Sequence, residues 1–258
     1  KLRAEQSSKN TQEVNDLALA FNTMADSLEQ SEQRRQEFIA NVSHELKTPM
    51  TTIGGYVDGI LDGTIPKDNE KHYLQIVSSE VRRLSRLVRS MLDLSRLQAQ
   101  GIDESRKTRF DLGDVMSDVL ITFEQKINAR GLQVSVDLPE KPVWTKADRD
   151  AITQVVYNLL DNAIKFCPVG GNLGLILEQD GQKARLRIRN TGQTIPPEEL
   201  PLLFDRFHKA DKARSADREG WGLGLYIAKT IIGAHGGEIW ATSENGVTEF
   251  SFTLPAVR

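Results

Sequence analysis

The residue types best suited to chemistry begin with a histidine beside a carboxylate, His44-Glu45. They lie inside the helix-patterned stretch Phe38-Ile39-Ala40-Asn41-Val42-Ser43-His44-Glu45-Leu46-Lys47-Thr48-Pro49. A neutral imidazole next to a base can be a nucleophile. Thr48 follows His44 by one helical turn and shares its polar face, while Pro49 removes a backbone donor and is expected to bend the helix just beyond the pair. A helical zinc-protease motif is excluded, because His-Glu-x-x-His needs a second imidazole where this chain has Thr48. Cys167, His72, His208 and His235 form no cluster with zinc spacing.

Three further constellations lie in the second half. Asp150 to Phe166 is patterned as a helix in which Asn158 and Asn162 stand one turn apart and Lys165 follows on an adjacent face. Amide oxygens are hard ligands suited to magnesium, and a lysine beside them complements phosphate charge. Asn190-Thr191-Gly192-Gln193-Thr194-Ile195-Pro196-Pro197 comes directly after a strand pattern, where a glycine lets a flat ring approach the backbone. Phe204-Asp205-Arg206-Phe207 follows, with Lys209, Lys212 and Arg214 in a polar loop. Gly220-Trp221-Gly222-Leu223-Gly224-Leu225 then opens an apolar helix, Tyr226 to Ile232. Glycines before a helix start present free N–H groups to an anion. The Walker phosphate loop is excluded for want of a Gly-Lys-Ser or Gly-Lys-Thr ending, and the dinucleotide fingerprint by its place in the chain.

The elements that must position these groups have two textures. Ile39, Val42, Leu46, Met50, Ile53, Val57 and Ile60 recur at three- and four-residue steps and predict one buried stripe of an amphipathic helix, with His44 off it. Val77, Val81, Leu84, Val88 and Met91 predict a second helix, with Arg82, Arg83, Arg86 and Arg89 on its outer face. Asp62-Gly63-Thr64-Ile65-Pro66 is the turn between them, so residues 34–100 read as an antiparallel helical hairpin. Two amphipathic helices cannot enclose both apolar faces alone. The hairpin is therefore expected to pair with a copy of itself as a homodimeric four-helix bundle. Residues 1–33 read as a further helix, with Leu17, Phe21, Met24 and Leu28 at heptad-like steps. After Gly101, short alternating segments such as Gln133 to Leu138 and Ala184 to Arg189 are interspersed with helix-like stretches, an α/β sandwich pattern. Residues 101–108 read as a polar linker.

Composition limits the function classes. With 258 residues, 39% of them hydrophobic and 27% charged, the chain has room for two modest domains. A formal net charge of -3 argues against a nucleic-acid partner. No apolar run approaches the roughly 20 residues of a membrane helix, and Lys1-Leu2-Arg3-Ala4 lacks the apolar core of a signal peptide. The stretch is expected to be soluble, with no membrane contact of its own. A single cysteine permits no internal disulfide and fits a reducing compartment.

In this order, the motifs resemble those of the sensor histidine kinases of bacterial two-component systems, over essentially the whole chain. His44-Glu45-Leu46-Lys47-Thr48-Pro49 resembles the family's phosphoacceptor motif. Asn158-Leu159-Leu160-Asp161-Asn162-Ala163-Ile164-Lys165-Phe166 is similar to the N box, Phe204 to Phe207 to the F box, and Gly220 to Leu225 to the second glycine box. Residues 12–30, with Leu17-Ala18-Leu19-Ala20-Phe21-Asn22-Thr23-Met24, resemble the final helix of a HAMP signal-relay module.

The resemblance implies a multidomain protein. The end of a HAMP module and a signalling helix occupy residues 1–33. An all-α hairpin for dimerisation and histidine phosphotransfer, forming a dimeric four-helix bundle, occupies 34–100. A catalytic α/β two-layer sandwich of the Bergerat type, shared with GHKL ATPases, occupies 101–258. It implies too that His44 takes a phosphoryl group from ATP and passes it to an aspartate in the receiver domain of a response regulator. The parent would be a bacterial membrane receptor, and this stretch its cytoplasmic portion. Glu45 would draw a proton from the ring, and Thr48 would hold a water for the reverse, phosphatase reaction. By the same analogy Asn162 holds Mg2+ with Asn158 in support, Lys165 and Lys209, the latter in a mobile lid, touch phosphates, and Phe166 flanks the nucleotide. ATP contacts are implied also at Asn190, Gly192, Ile195 and Phe207, and at Gly220, Gly222, Leu223, Gly224 and Leu225.

One departure stands out. Where the family usually has an aspartate that accepts a hydrogen bond from the adenine amino group, this chain has Asn190, whose amide oxygen accepts without charge assistance. Thr194 replaces the usual second glycine, which implies lower nucleotide affinity or a stiffer loop. A dimeric signalling scaffold that binds nucleotide weakly is the alternative reading. A chaperone- or topoisomerase-type GHKL ATPase shares the sandwich but has no use for His44-Glu45 on a bundle.

Overall fold

The computed structural model describes residues 12–100, 103–208 and 221–257, and it divides into two compact units, Lys1–Leu84 and Ser85–Arg258. In the first unit the steps of three and four do produce a helix, α1, which runs Gln12–Leu61 without interruption. The helix expected over 1–33 is its N-terminal part, except that residues 1–11 lie outside the described residues. Pro49 stands inside α1 and is buried. It has no N–H for the Glu45 carbonyl. The threonines around it bond backward, Thr48 Oγ1 to the His44 carbonyl at 3.3 Å and Thr52 Oγ1 to the Thr48 carbonyl at 3.1 Å.

The predicted turn ends α1. Gly63 takes φ +78, which a Cβ would resist, and Asp62 Oδ1 accepts the Thr64 N–H at 2.9 Å. α2 (Lys67–Gln100) follows. The Tyr56 and Tyr73 rings, 4.9 Å apart, join the two helices beside the turn.

The helical stripes are less buried than their spacing predicts. Ile39 is 50% and Met50 60% exposed; in α2, Val81 and Val88 are 47% and 43% exposed, and full burial falls instead on Leu87 and Leu94. The cause is geometric, since a hairpin of two helices covers one side of each. Arg83 also departs from the outer face expected of it: it is half-buried and paired to Glu80 at 3.3 Å.

In the second unit, Asp103 caps a short 3-10 turn, Glu104–Arg106, and β1 (Lys107–Asp111) begins at once. The linker expected over 101–108 is therefore shorter, because Lys107 and Thr108 pair with Asp148 and Ala147 of β3 (Trp144–Asp148). The main sheet contains β2 (Gln133–Asp137), β4 (Asn172–Asp180), β5 (Lys183–Thr191), β6 (Ile239–Glu244) and β7 (Val247–Pro255). Their order is β2-β4-β5-β7-β6, parallel between β2 and β4 and antiparallel elsewhere.

Period-two alternation sends Leu173, Leu175, Leu186, Ile188, Phe250 and Phe252 to one face of this sheet. There they meet the apolar sides of α3 (Leu112–Thr122), α5 (Arg149–Phe166) and α6 (Gly224–Ala234); a short α4 (Glu124–Ala129) follows α3. The other face is charged, with Glu178 opposite Arg185 and Arg189 paired to Glu249, so the fold is a sandwich of two layers. α5 buries Ile152, Val155, Val156, Leu159, Leu160, Ala163 and Ile164. Each large aliphatic side chain among them contributes about 1.5–3 kcal/mol. Rotation by that stripe leaves Asn158, Asn162 and Lys165 half-buried along its rim. Among the described residues no helix is long and apolar enough to cross a membrane.

Candidate active site

In the first unit, His44 projects from α1 with its side chain 80% exposed, while Glu45 is 28% exposed. The nearest approach is His44 Nδ1 to Glu45 Oε1 at 4.0 Å. That is the outer limit of an ion pair and beyond hydrogen-bond distance. Nε2 is the ring nitrogen farther from the carboxylate. Thr48, also exposed, directs its hydroxyl to the His44 carbonyl, which keeps it on the same face.

In the second unit, short contacts join several of the expected residues. Asn158 Nδ2 donates to the Gly224 carbonyl at 3.1 Å, tying the middle of α5 to the first residue of α6. Asn162 follows one turn later, and Lys165 Nζ lies 5.7 Å from the Phe166 ring centroid. Among the described residues no group of three His, Cys, Asp or Glu could hold a metal ion.

Asn190, expected directly after the strand pattern, lies at the end of β5 itself, 3% exposed and facing the helices. Its Nδ2 donates to the Thr191 carbonyl at 3.0 Å. Gly192 is bound by its N–H to the Gly246 carbonyl at 2.8 Å, and a Cβ on it would lie 3.0 Å from the Phe166 carbonyl oxygen. The end of α5 and the loop after β5 thus touch through backbone, which brings Phe166, Asn190 and Gly192 together. Thr194 Oγ1 accepts the Gly246 N–H at 2.9 Å, so the residue that replaces a glycine staples this loop to the β6–β7 turn. Ile195 donates its N–H to Ser243 Oγ at 2.9 Å.

Gly222 and Phe207 meet at the far side. Phe207 N–H donates to the Gly222 carbonyl at 3.0 Å, and Phe204 beneath them is buried against Phe250. Arg206 lies over the Tyr226 ring and donates to its hydroxyl at 2.6 Å, linking this segment to the first turn of α6. The N-cap of α6 is Leu223, buried and without a side-chain cap bond; Gly224 and Leu225 follow half-buried. A helix start of that kind suits an anion. Lys209 and Gly220 lie outside the described residues.

Sequence reasoning missed the polar pair beside Asn190. Thr248 faces Asn190 across the β5–β7 ladder, and its Oγ1 is 2.9 Å from Ser243 Oγ; both hydroxyl residues are buried. The signal was available, because Thr248 occupies a core position in the alternation Thr248-Phe250-Phe252-Leu254. Asn245-Gly246, a strong hairpin dipeptide, was overlooked as well; both residues sit at positive φ.

Comparison with known proteins follows this geometry closely. Residues 34–100 match the His Kinase A (phospho-acceptor) domain, and residues 147–258 match the histidine kinase-, DNA gyrase B-, and HSP90-like ATPase. Sensor protein SrrB of Staphylococcus aureus (strain MRSA252) is 38% identical over 226 residues, which are 87% of this chain and 38% of SrrB. The chain therefore spans well under half the length of the curated relatives it matches. The solved catalytic domain of histidine kinase ThkA is 31% identical with a TM-score of 0.53, covering 58% of this chain and 95% of its own. The structure of ThkA in complex with response regulator protein TrrA is 27% identical with a TM-score of 0.70, covering 90% of this chain and 66% of that one. With a phosphoacceptor match around His44 and an ATPase match around the Asn158, Asn190 and Gly224 cluster, the chain belongs to the sensor histidine kinases.

Proposed function

We propose that the chain phosphorylates His44 from ATP and passes the phosphoryl group to an aspartate in the receiver domain of a response regulator. The observation that carries this reading is the 80% exposed imidazole beside a carboxylate on α1. With Nδ1 turned toward Glu45, Nε2 is the attacking atom: a nitrogen–phosphorus bond forms as the bond from phosphorus to the leaving oxygen of ADP breaks. The ring proton is stabilised by the Glu45 charge before it is lost. Lys165 offsets phosphate charge, the start of α6 directs N–H groups at it, and Asn190, Gly192 and Ile195 seat the base. Magnesium, when bound, would supply charge neutralisation at the phosphates, held by the Asn162 amide oxygen.

The wider assignments belong to the same reading. Residues 34–100 form the dimerisation and phosphotransfer domain as one half of a homodimer, residues 101–258 the catalytic domain, and residues 1–33 the end of a HAMP module. The half-exposed apolar side chains of α1 and α2 favour the pairing. The whole is read as the cytoplasmic portion of a bacterial membrane receptor. Its partner is of the kind that ThkA engages in TrrA, and Thr48 serves the reverse, phosphatase reaction.

Incubation with radioactive ATP and magnesium tests the proposal. Acid-labile label is expected on the chain and none on His44→Gln; label that persists in the variant refutes it. A dimer that takes no label would favour the scaffold reading, to which Asn190 and the Thr194 staple lend weight.

A further inference from the structure

One buried titratable side chain has no part in the contacts described so far. His235, 7% exposed, caps the C-terminal end of α6. Its Nδ1 lies 2.9 Å from the Ile231 carbonyl and must carry the hydrogen, since a carbonyl only accepts. Its Nε2 receives the backbone N–H of Asp148 at 3.0 Å and must be the bare nitrogen. The two partners leave one species that satisfies both bonds, the neutral imidazole protonated at Nδ1. Asp148 is in turn the N-cap of α5, its carboxylate accepting the N–H groups of Asp150 and Ala151.

The location of this bond gives it consequence. Among the described residues, hydrogen bonds join α5 and α6 from Asp148 to His235 and from Asn158 to Gly224, beside the apolar packing of the two helices. Between those points the helices rise about 15 Å and about 17 Å at roughly 1.5 Å per residue, so the links act as matched rungs between antiparallel rods. One rung is the nucleotide-site contact itself. Without the other, the register of α6 on α5 rests on apolar packing, which has no direction, and Gly224 is held less firmly against Asn158.

We propose that His235 is a positioning residue for the nucleotide site: as a neutral imidazole it keeps α6 in register with α5, and a proton on Nε2 releases that register and weakens nucleotide binding. The proposal rests on the ATP-site reading above. The charged groups facing the ring are Lys107 of β1, Asp148 at the head of α5 and Glu104 ahead of β1, and Arg106 pairs with Asp148 at 3.2 Å. Burial is the main influence and holds the ring's proton affinity below its ordinary range, with Lys107 adding to it; the Ile231 carbonyl, Asp148 and Glu104 oppose. The latch is therefore closed at neutral pH.

The test is ATP affinity of the whole chain by calorimetry, from about pH 7.5 down through the pH at which the His235 ring resonances show it titrating in the folded protein. It is run on the unsubstituted protein, His235→Gln and His235→Asn. An amide accepts the Asp148 N–H but does not titrate. The unsubstituted chain is expected to lose about fivefold more affinity over this range than either variant, the worth of roughly one net hydrogen bond. Any pH dependence of ATP itself or of the rest of the chain is common to all three proteins and cancels. Equal losses in all three, with each folded by circular dichroism, overturn the proposal; absence of ATP binding at every pH overturns the nucleotide reading along with it. Where neither variant folds, the His235 ring resonances decide: affinity must fall with the midpoint at which that ring titrates, and a different midpoint overturns the idea.

Discussion

Phe207 and Gly222 cross backbone to backbone: the Phe207 N–H reaches the Gly222 carbonyl at 3.0 Å, and both residues are left-handed, at φ 60 and 66. A Cβ on Gly222 would stand 2.7 Å from the Phe207 carbonyl carbon and the His208 carbonyl oxygen. This glycine therefore permits a close chain crossing, whatever it also offers a phosphate. Gly222→Ala combines left-handed strain of about 1–2 kcal/mol with a clash. The thermal midpoint should fall by roughly 2–4 °C for each kcal/mol in a unit of this size, and ATP affinity should fall with it. A variant with unchanged midpoint and affinity would show that the crossing is not needed.

Substitution at Asn190 should set ATP affinity against stability. Its buried amide donates to the Thr191 carbonyl, a bond that a carboxylate cannot make. Asn190→Asp restores a charge-assisted acceptor for an amino group on the base, and such bonds are roughly twice as strong as neutral ones. ATP should bind about three- to tenfold more tightly, while the nucleotide-free protein melts at a lower temperature because a buried charge faces a carbonyl. Isothermal titration and melting with and without ADP separate the two effects. Weaker binding would mean that Asn190 does not face the base.

Periodicity made the hairpin and the sandwich legible, because burial dominates where apolar residues recur at 3.6 or at two. It could not rank positions within a stripe, so Leu87 and Leu94 carry the burial expected of Val81 and Val88. β1 was hidden because Lys107-Thr108-Arg109 reads as polar linker, and only its pairing with β3 makes it a strand. The order of the motifs gave the candidate residues, but not their contacts. That Asn158 binds Gly224, or that the Thr194 hydroxyl reaches Gly246, depends on segments far apart in sequence.

Ser243 supports the loop after β5, since its Oγ accepts the Ile195 N–H and meets Thr248 Oγ1. Ser243→Ala would strand that N–H in a partly buried site, a cost of about 1–3 kcal/mol. If this loop seats the base, as proposed, the KM for ATP should rise several-fold with little change in kcat. A fall in kcat at constant KM would contradict this role for the loop.

Thr48 and His44 share a face of α1, joined through the Thr48 hydroxyl and the His44 carbonyl at 3.3 Å. The hydroxyl hydrogen is directed at the backbone, and its lone pairs remain to orient a water. Thr48→Ala should slow dephosphorylation of the regulator by tenfold or more, an order-of-magnitude expectation for a lost positioning group, while His44 labelling stays near normal. Thr48→Ser should retain both activities. Equal loss of kinase and phosphatase activity in Thr48→Ala would point to disruption of α1 instead.

Stability should depend on pH through His235. Burial lowers the folded ring's pKa below its ordinary 6.5, so between the two values the unfolded chain binds more protons than the folded one. Stability then rises with pH in that window: the His235 contribution is complete above 6.5 and drains away as acid approaches the folded value. Asp62 and Asp103, held below the ordinary 3.8 by hydrogen bonds from Thr64 and Ser105, act in the same direction further into acid, where their contribution is lost as pH falls through their folded values. Melting curves should therefore be level from about pH 8 to about pH 7 and decline through the histidine range. His235→Gln should start lower, having lost an imidazole shaped to both partners, and stay level until the carboxylates begin to protonate. Parallel decline of the two proteins through the histidine range would assign the transition to another group and remove His235 from the account.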